Sequence, residues 1–251
     1  MGLLFHIFAV IYEMTLVVGH PDVPVSAGYV TQLLKLSIIN LIVAPASILE
    51  DLSKDPSGLQ ALAKLKHVSY GGGPLRPEVG NFLTTAVPHL FSFFGGTETG
   101  WHHLIAGGNE VWDSTRRYEN IGYEFEEISA GVFEQVIVND KSTNKYQSVF
   151  DVFPEMEEFR TKDLYSPRPT AAGWWKYRGR ADDLIVLSNG EKFNPISMEN
   201  TICSNPFVKS ALIVGEYQFS PPLLIEIADD DSPETDAERS EALNRIRPSS
   251  E

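Results

Sequence analysis

Val68-Ser69-Tyr70-Gly71-Gly72-Gly73-Pro74, followed by Arg76 to Ala86 and then Leu90-Phe91-Ser92-Phe93-Phe94, is the stretch that decides the fold. A short apolar strand runs into glycines, a helical segment follows, and a second strand comes after it. Parallel strands need a crossover of this length, normally a helix, so the pattern predicts an α/β layer with parallel strands. Upstream, Ile38 to Val43 is an apolar run rich in β-branched residues and reads as a buried strand. Ser26 is placed to cap a helix with Tyr29, Val30, Leu33 and Leu34 on one face. Ser47 with Glu50, and Ser57 with Gln60, are spaced as capping boxes.

Downstream the texture changes. Gly122 to Glu127, Val132 to Val138 and Gln147 to Phe153 read as strands between turns, so residues 101–181 form a β-rich subregion. Beyond Arg180, Leu184 to Leu187 leads into the turn Ser188-Asn189-Gly190. Pro195 opens a short helix that Pro206 closes. Val208 to Val214 and Leu223 to Ile227 read as two further strands. The tail, residues 229–251, is acidic and polar, with one weak helix around Ala237 to Ile246.

The chain has 251 residues, 43% of them hydrophobic and 11% aromatic. That is enough for one large domain or one domain with an appendix, and it excludes a disordered chain. Twenty basic against 34 acidic side chains leave a net charge of −14, which argues against nucleic acid or an anionic membrane as partner. A nucleotide remains open as a ligand, since phosphates are held by backbone amides and a bound cation. Cys203 is the only cysteine, so no disulfide forms within the chain, and a reducing, cytoplasmic setting is expected. Leu3 to Val18 is strongly apolar but is interrupted by His6 and Glu13 and has no basic leader. It reads as buried strand or helix from the middle of a domain.

Three loops carry the chemistry. Tyr70-Gly71-Gly72-Gly73-Pro74-Leu75 follows a strand, and its glycines let backbone approach a flat ligand. By itself it is also an ordinary strand-to-helix turn. Phe94-Gly95-Gly96-Thr97-Glu98-Thr99-Gly100 offers an aromatic face, free backbone amides, a hydroxyl and a carboxylate. That set suits a nucleotide: the aromatic for the base, Thr97 for a phosphate oxygen, Glu98 for magnesium. The third region runs from Phe159-Arg160-Thr161-Lys162-Asp163-Leu164 through Trp174-Trp175-Lys176-Tyr177-Arg178-Gly179-Arg180-Ala181-Asp182-Asp183 to Ser188-Asn189-Gly190-Glu191-Lys192. Asp163 suits a ribose diol and Arg180 a ribose or phosphate. His102 and His103 are neighbours that a strand would point to opposite faces, which disfavours a shared metal. Trp174 and Trp175 read as packing. The sequence has no GxxxxGK[ST] loop, no GxGxxG and no GxSxG elbow.

In this order, GGGPL, FGGTE, RTKD and YRGRADDLIVLSNGEK resemble the adenylate-forming superfamily of acyl-CoA synthetases, luciferases and nonribosomal peptide synthetase adenylation domains. RTKDLYSP and VLSNGEKFNPISME are most similar to fungal nonribosomal-peptide-synthetase-like carboxylate reductases. The resemblance implies that residues 1–181 belong to a large adenylation domain, α/β to about residue 100, and that 182–228 begin a small α+β domain after a hinge at Asp182. It implies that Gly71, Gly72 and Gly73 line the adenine and acyl pocket, with Phe94, Gly95, Gly96 and Tyr177 at the nucleotide. It gives Thr97 the α-phosphate, Glu98 the magnesium ion, Asp163 the ribose hydroxyls and Arg180 an assisting role. Gly190 and Lys192 fall in the loop that meets the thiol acceptor, and His6 lies near the substrate carboxylate.

The implied activity is ATP-dependent activation of a small carboxylic acid as acyl-AMP, with ATP and Mg2+ as cofactors, followed by transfer to a phosphopantetheine thiol on a carrier domain. The superfamily's phosphate loop is expected upstream of His6 and its catalytic lysine beyond Glu251, so weak or no adenylation is expected from these 251 residues alone. The competing expectation is a catalytically silent remnant that at most binds AMP or a carrier domain. RTKD also departs from the commoner RTGD.

Overall fold

In the computed structural model the chain divides into two compact units, Met1–Arg178 and Gly179–Glu251. The structure describes residues 2–36, 38–189, 192–215, 218–228, 233 and 235–246. The first unit opens with α1 (Gly2–Ile11), α2 (Ala27–Leu36), β1 (Leu41–Pro45), α3 (Ala46–Lys54), α4 (Pro56–Leu62), β2 (His67–Gly71), α5 (Pro77–Ala86) and β3 (Leu90–Ser92). β1, β2 and β3 form a parallel sheet in that order, with Val68 opposite Leu90 and Tyr70 opposite Ser92. β2 is the central strand, and Val68, Ser69 and Tyr70 are all buried. A strand covered on both faces needs no alternation.

The helices close this layer through apolar stripes at helical spacing. Leu49 and Leu52 of α3, Leu62 of α4 and Leu83 of α5 are fully buried against Val68 and Leu90. Each such side chain contributes roughly 1.5–3 kcal/mol on burial. Ser26 caps α2 through the Tyr29 N–H as expected, at 3.3 Å.

Neither expected capping box forms. α3 begins at Ala46, directly after Pro45, which leaves Ser47 inside the helix, and Glu50 instead pairs with Arg76 at 2.8 Å. α4 is started by Pro56 at its first position, and Asp55 accepts from the Gly58 N–H at 2.8 Å. A proline there fixes the first helical turn two residues ahead of the expected serine. The first strand also slips: it begins at Leu41, opposite His67, and Ile38 is 98% exposed.

Most of the residues from His6 to Val18 whose side chains are described are exposed. α1 forms, but Val10 is 80% and Ile11 64% exposed, and Tyr12, Met14 and Val18 are exposed beyond it. Among the described residues no helix is long and apolar enough to cross a membrane.

From Gly95 the unit is mainly β. β4 (Gly95–Gly96) and β5 (Gly100–Trp101) make a tight antiparallel hairpin. β6 (Leu104–Ile105), β7 (Ser114–Arg117), β8 (Tyr123–Ser129), β9 (Val132–Val138), β10 (Glu158–Pro167) and β11 (Trp175–Arg180) form a six-stranded sheet in the order β6-β7-β11-β10-β9-β8. Trp175 stacks on Phe125 at 3.9 Å and serves packing. The expected strand from Gln147 to Phe153 is instead the one-turn helix α6 (Val149–Val152). Phe150 N bonds to Gln147 O and Phe153 N to Val149 O. The buried residues there are Gln147, Val149 and Phe150, a spacing that one turn of helix serves and a half-buried strand does not.

The second unit begins inside β11. It contains β12 (Ile185–Val186) paired with β13 (Lys192–Phe193), then α7 (Pro195–Cys203), β14 (Val208–Ile213) paired with β15 (Leu223–Ile227), and α8 (Asp236–Ile246). Asn194 caps α7 by accepting from the Ile196 N–H at 3.0 Å, with Pro195 at its first position.

Candidate nucleotide site

The first two glycine loops leave the same edge of the parallel sheet. Gly71 ends β2, and Phe93 and Phe94 follow β3 directly, so both lie at the carboxyl ends of adjacent parallel strands. Open α/β sheets bind ligands at such edges. The two loops are tied by the Phe93 N–H, which donates to Tyr70 O at 2.7 Å. Close approach explains the glycines: a Cβ on Gly71 would lie 2.8 Å from Phe93 O, and one on Gly95 would lie 2.6 Å from Gly100 O. Gly72 has φ +78° and Gly73 has open space around it.

Phe94 is half-buried and braced by three rings. Tyr177 lies at 4.7 Å, Tyr165 at 5.9 Å and His102 at 6.5 Å. The sequence expected free amides in the next turn, but the Gly96 N–H donates to Thr99 Oγ1 at 3.1 Å. The hairpin thereby exposes Thr97 and Glu98 at its tip. Ser148 Oγ donates to Thr99 O at 2.9 Å and anchors the tip's far side.

Asp163 is half-buried on β10, and its negative charge acts on Tyr165, the tyrosine packed against Phe94. The Tyr165 phenol is pushed well above its ordinary range, chiefly by burial. The residue before Asp163 explains the unusual motif. Lys162 has φ +61° and sits where the pairing of β10 with β9 shifts register. This left-handed conformation favours glycine. Here Glu134 holds it for lysine: its Oε1 accepts from the Lys162 N–H at 3.1 Å and its Oε2 from Arg160 at 3.0 Å.

Lys162→Gly is therefore expected to keep stability within about 1 kcal/mol, relief of the left-handed strain offsetting the looser unfolded chain. Lys162→Val is expected to cost about 2 kcal/mol. Urea unfolding measures both, and equal stability of the two variants would contradict the strain argument.

Behind these loops lies a buried polar chain that the sequence did not reveal. Arg117 donates to Gln135 Oε1, to Tyr165 Oη at 2.8 Å and to Thr115 Oγ1 at 2.5 Å. Its guanidinium also lies 5.0 Å from the Tyr165 ring centre. Gln135 Nε2 is 3.5 Å from His102 Nδ1, and His102 Nε2 is 3.2 Å from Thr99 Oγ1. Burial, with the charges of Arg117 and His103, pushes the His102 imidazole down to about 3.

The remaining sequence candidates lie on other elements. His6 is exposed on α1. In the second unit, Arg180 pairs with Asp182 at 3.3 Å. Lys192 lies on β13, and Gly190 lies outside the described residues. Among the described residues no group of three or more His, Cys, Asp or Glu is arranged to hold a metal ion.

The family described as AMP-binding enzyme C-terminal domain matches residues 182–251. A carboxylic acid reductase from Neurospora crassa is 36% identical over 237 residues, covering 92% of this chain and 22% of that protein. The adenylate-forming reductase Nps10 of Heterobasidion annosum is 34% identical over 190 residues, covering 74% of this chain and 17% of that protein. The chain thus spans about a fifth of the length of these relatives. Among solved structures, an O-succinylbenzoate coenzyme A synthetase from Bacillus subtilis in complex with AMP superposes with a TM-score of 0.66 at 19% identity, over 97% of this chain and 51% of that one. An amide bond synthetase from Marinactinospora thermotolerans gives 0.61 at 18% identity, over 86% and 48%. The chain belongs to the adenylate-forming superfamily, and its similarity to fungal adenylate-forming reductases runs through both units.

Proposed function

We propose that this chain supplies the nucleotide-binding part of an adenylation module that activates a small carboxylic acid as acyl-AMP for transfer to a pantetheine thiol on a carrier domain. The observation that carries the reading is the convergence of Phe94, Tyr165 and Tyr177 beside Asp163, next to two glycine loops at one sheet edge.

In the reaction a carboxylate oxygen attacks the α-phosphorus of ATP in line. The new O–P bond forms as the bond to pyrophosphate breaks, and pyrophosphate leaves with the electron pair. Such chemistry asks for positioning and charge neutralisation more than for acid–base catalysis. Asp163 holds the ribose diol through both carboxylate oxygens. Phe94 presents its face to the adenine, with the Gly71–Gly73 backbone alongside, and the Thr97 hydroxyl meets the α-phosphate. Arg180 assists at the ribose or phosphate, and His6 faces the acid. Asp182 is the hinge, and Gly190 and Lys192 belong to the loop that meets the thiol.

A single exposed carboxylate, Glu98, fits a magnesium ion that arrives on ATP, since this ion keeps its waters and takes most ligands from phosphates. Bound there, the ion offsets phosphate charge.

The test is acid-dependent ATP–pyrophosphate exchange by the protein that carries this chain, across a panel of carboxylic acids. Asp163→Ala is expected to lower kcat/KM for ATP by about 10- to 100-fold, the loss of charge-assisted hydrogen bonds worth about 1.5–3 kcal/mol. Exchange unaffected by Asp163→Ala would remove the ribose assignment.

A further inference from the structure

The hairpin that carries Thr97 and Glu98 rests on groups that the proposed reaction does not use. Thr99, His102, Gln135 and Arg117 are each at least nine-tenths buried. Their donors and acceptors can be ordered in only one way. Arginine has donors only, so the Gln135 amide must turn Oε1 toward Arg117. That places the Gln135 NH2 against His102 Nδ1, which must then be the unprotonated nitrogen. A neutral His102 carries its proton on Nε2 and donates it to Thr99 Oγ1. The Thr99 hydroxyl in turn donates to Gly100 O, at 3.3 Å, and accepts from the Gly96 N–H.

A fixed cation deep in the β-rich part of the first unit thus dictates, through three side chains, the hydrogen bonds that shape the hairpin tip. The same strand reaches Asp163. The Thr161 hydroxyl donates to Gln135 O at 2.8 Å and accepts from the Asp163 N–H at 3.1 Å.

The geometry points to Arg117, Gln135 and His102 as positioning residues that preset the Gly95–Trp101 hairpin for a nucleotide phosphate, with His102 held as the neutral Nε2–H tautomer. This rests on the nucleotide reading above. Preorganisation of this kind removes an ordering cost that a ligand would otherwise meet on binding. The titratable and charged groups facing His102 are Arg117 from β7, Tyr123 from β8 with its ring 5.5 Å away, and His103 beside it.

The test uses the 251-residue chain with AMP as the probe and two readouts that need no ligand. Long-range 1H–15N spectra at pH 7 are expected to show His102 as the Nε2–H tautomer, and the Gly96 amide is expected to exchange slowly. His102→Leu should raise Gly96 exchange at least tenfold and weaken AMP about tenfold. His102→Gln, which keeps a donor at the Nε2 position, should restore AMP binding to within about threefold, a tenfold change corresponding to about 1.4 kcal/mol. An Nδ1–H or charged His102 overturns the relay.

Gly96 exchange and AMP affinity that are both unchanged in a folded His102→Leu variant overturn the positioning role and leave the nucleotide reading standing. AMP that does not bind the wild-type chain overturns the nucleotide reading and the positioning role with it. Slow Gly96 exchange in that case shows that the relay itself had formed.

Discussion

Arg117→Leu is expected to lower the stability of the first unit by about 3–5 kcal/mol. Leucine matches much of the arginine's volume, and removing a buried cation by itself relieves a desolvation cost. The partners, however, stay polar. Gln135 Oε1, Tyr165 Oη and Thr115 Oγ1 would lose their donor in a place where water does not reach, and each buried unsatisfied group costs about 1–3 kcal/mol. The ring contacts of the guanidinium with Tyr165, Phe125 and Tyr123 go as well. All four tryptophans, Trp101, Trp112, Trp174 and Trp175, lie in the first unit, so fluorescence-detected unfolding reports on that unit alone. A midpoint lowered by about 10 °C is expected, at roughly 2–4 °C per kcal/mol for a chain of this size. A loss below about 1 kcal/mol would mean that the buried groups rearrange to satisfy one another.

Acid should weaken the same unit before its carboxylates titrate. His102 binds a proton near 6.5 in the unfolded chain and near 3 in the folded one. The unfolded state therefore takes up the proton first. The stability contribution is complete above about pH 6.5 and is lost progressively as pH falls toward 3. Between pH 7 and 5 this amounts to about 2 kcal/mol. Asp113, held below its usual range by Lys176 and Arg168 against the opposing effect of burial, loses its contribution only at lower pH. His102→Gln should flatten the pH dependence between 7 and 5, whatever its own stability at pH 7. The same slope in wild type and variant would show that His102 is not the group responsible.

What the sequence disclosed and what it hid divide along sequence distance. β2, α5 and β3 are legible because an apolar run, a proline-started helix and the glycines between them are adjacent in the chain. Pro195 at the start of α7 is legible for the same reason, whereas the stretches after Phe94 and around Asp163 read as loops, and only the structure shows the first as a hairpin and the second as part of β10. The caps were misread where a proline outranked a serine: Pro56 moved the start of α4 to Asp55. Gln147 to Phe153 reads as a strand because its apolar residues are β-branched or aromatic, and only the packing of Val149 and Phe150 together makes it one turn of helix.

The Arg117–Gln135–His102 chain joins residues 18 and 33 apart, and Arg117 reaches Tyr165 across 48. No spacing rule reaches that far, and each residue alone is unremarkable. The oddity of RTKD is a signal in the sequence, and its physical meaning appears only with the +61° φ of Lys162 and the Glu134 beneath it.

The account stands on Asp163 and the aromatic cluster around Phe94 forming a nucleotide site. Titration calorimetry of the folded 251-residue chain with a non-hydrolysable acyl-adenylate analogue and magnesium, repeated with Asp163→Ala, tests it most directly. The account predicts saturable binding by the wild type, weakened about 10- to 100-fold by Asp163→Ala. No binding by a chain whose tryptophan fluorescence shows a folded first unit, or equal affinity in the two proteins, would contradict it.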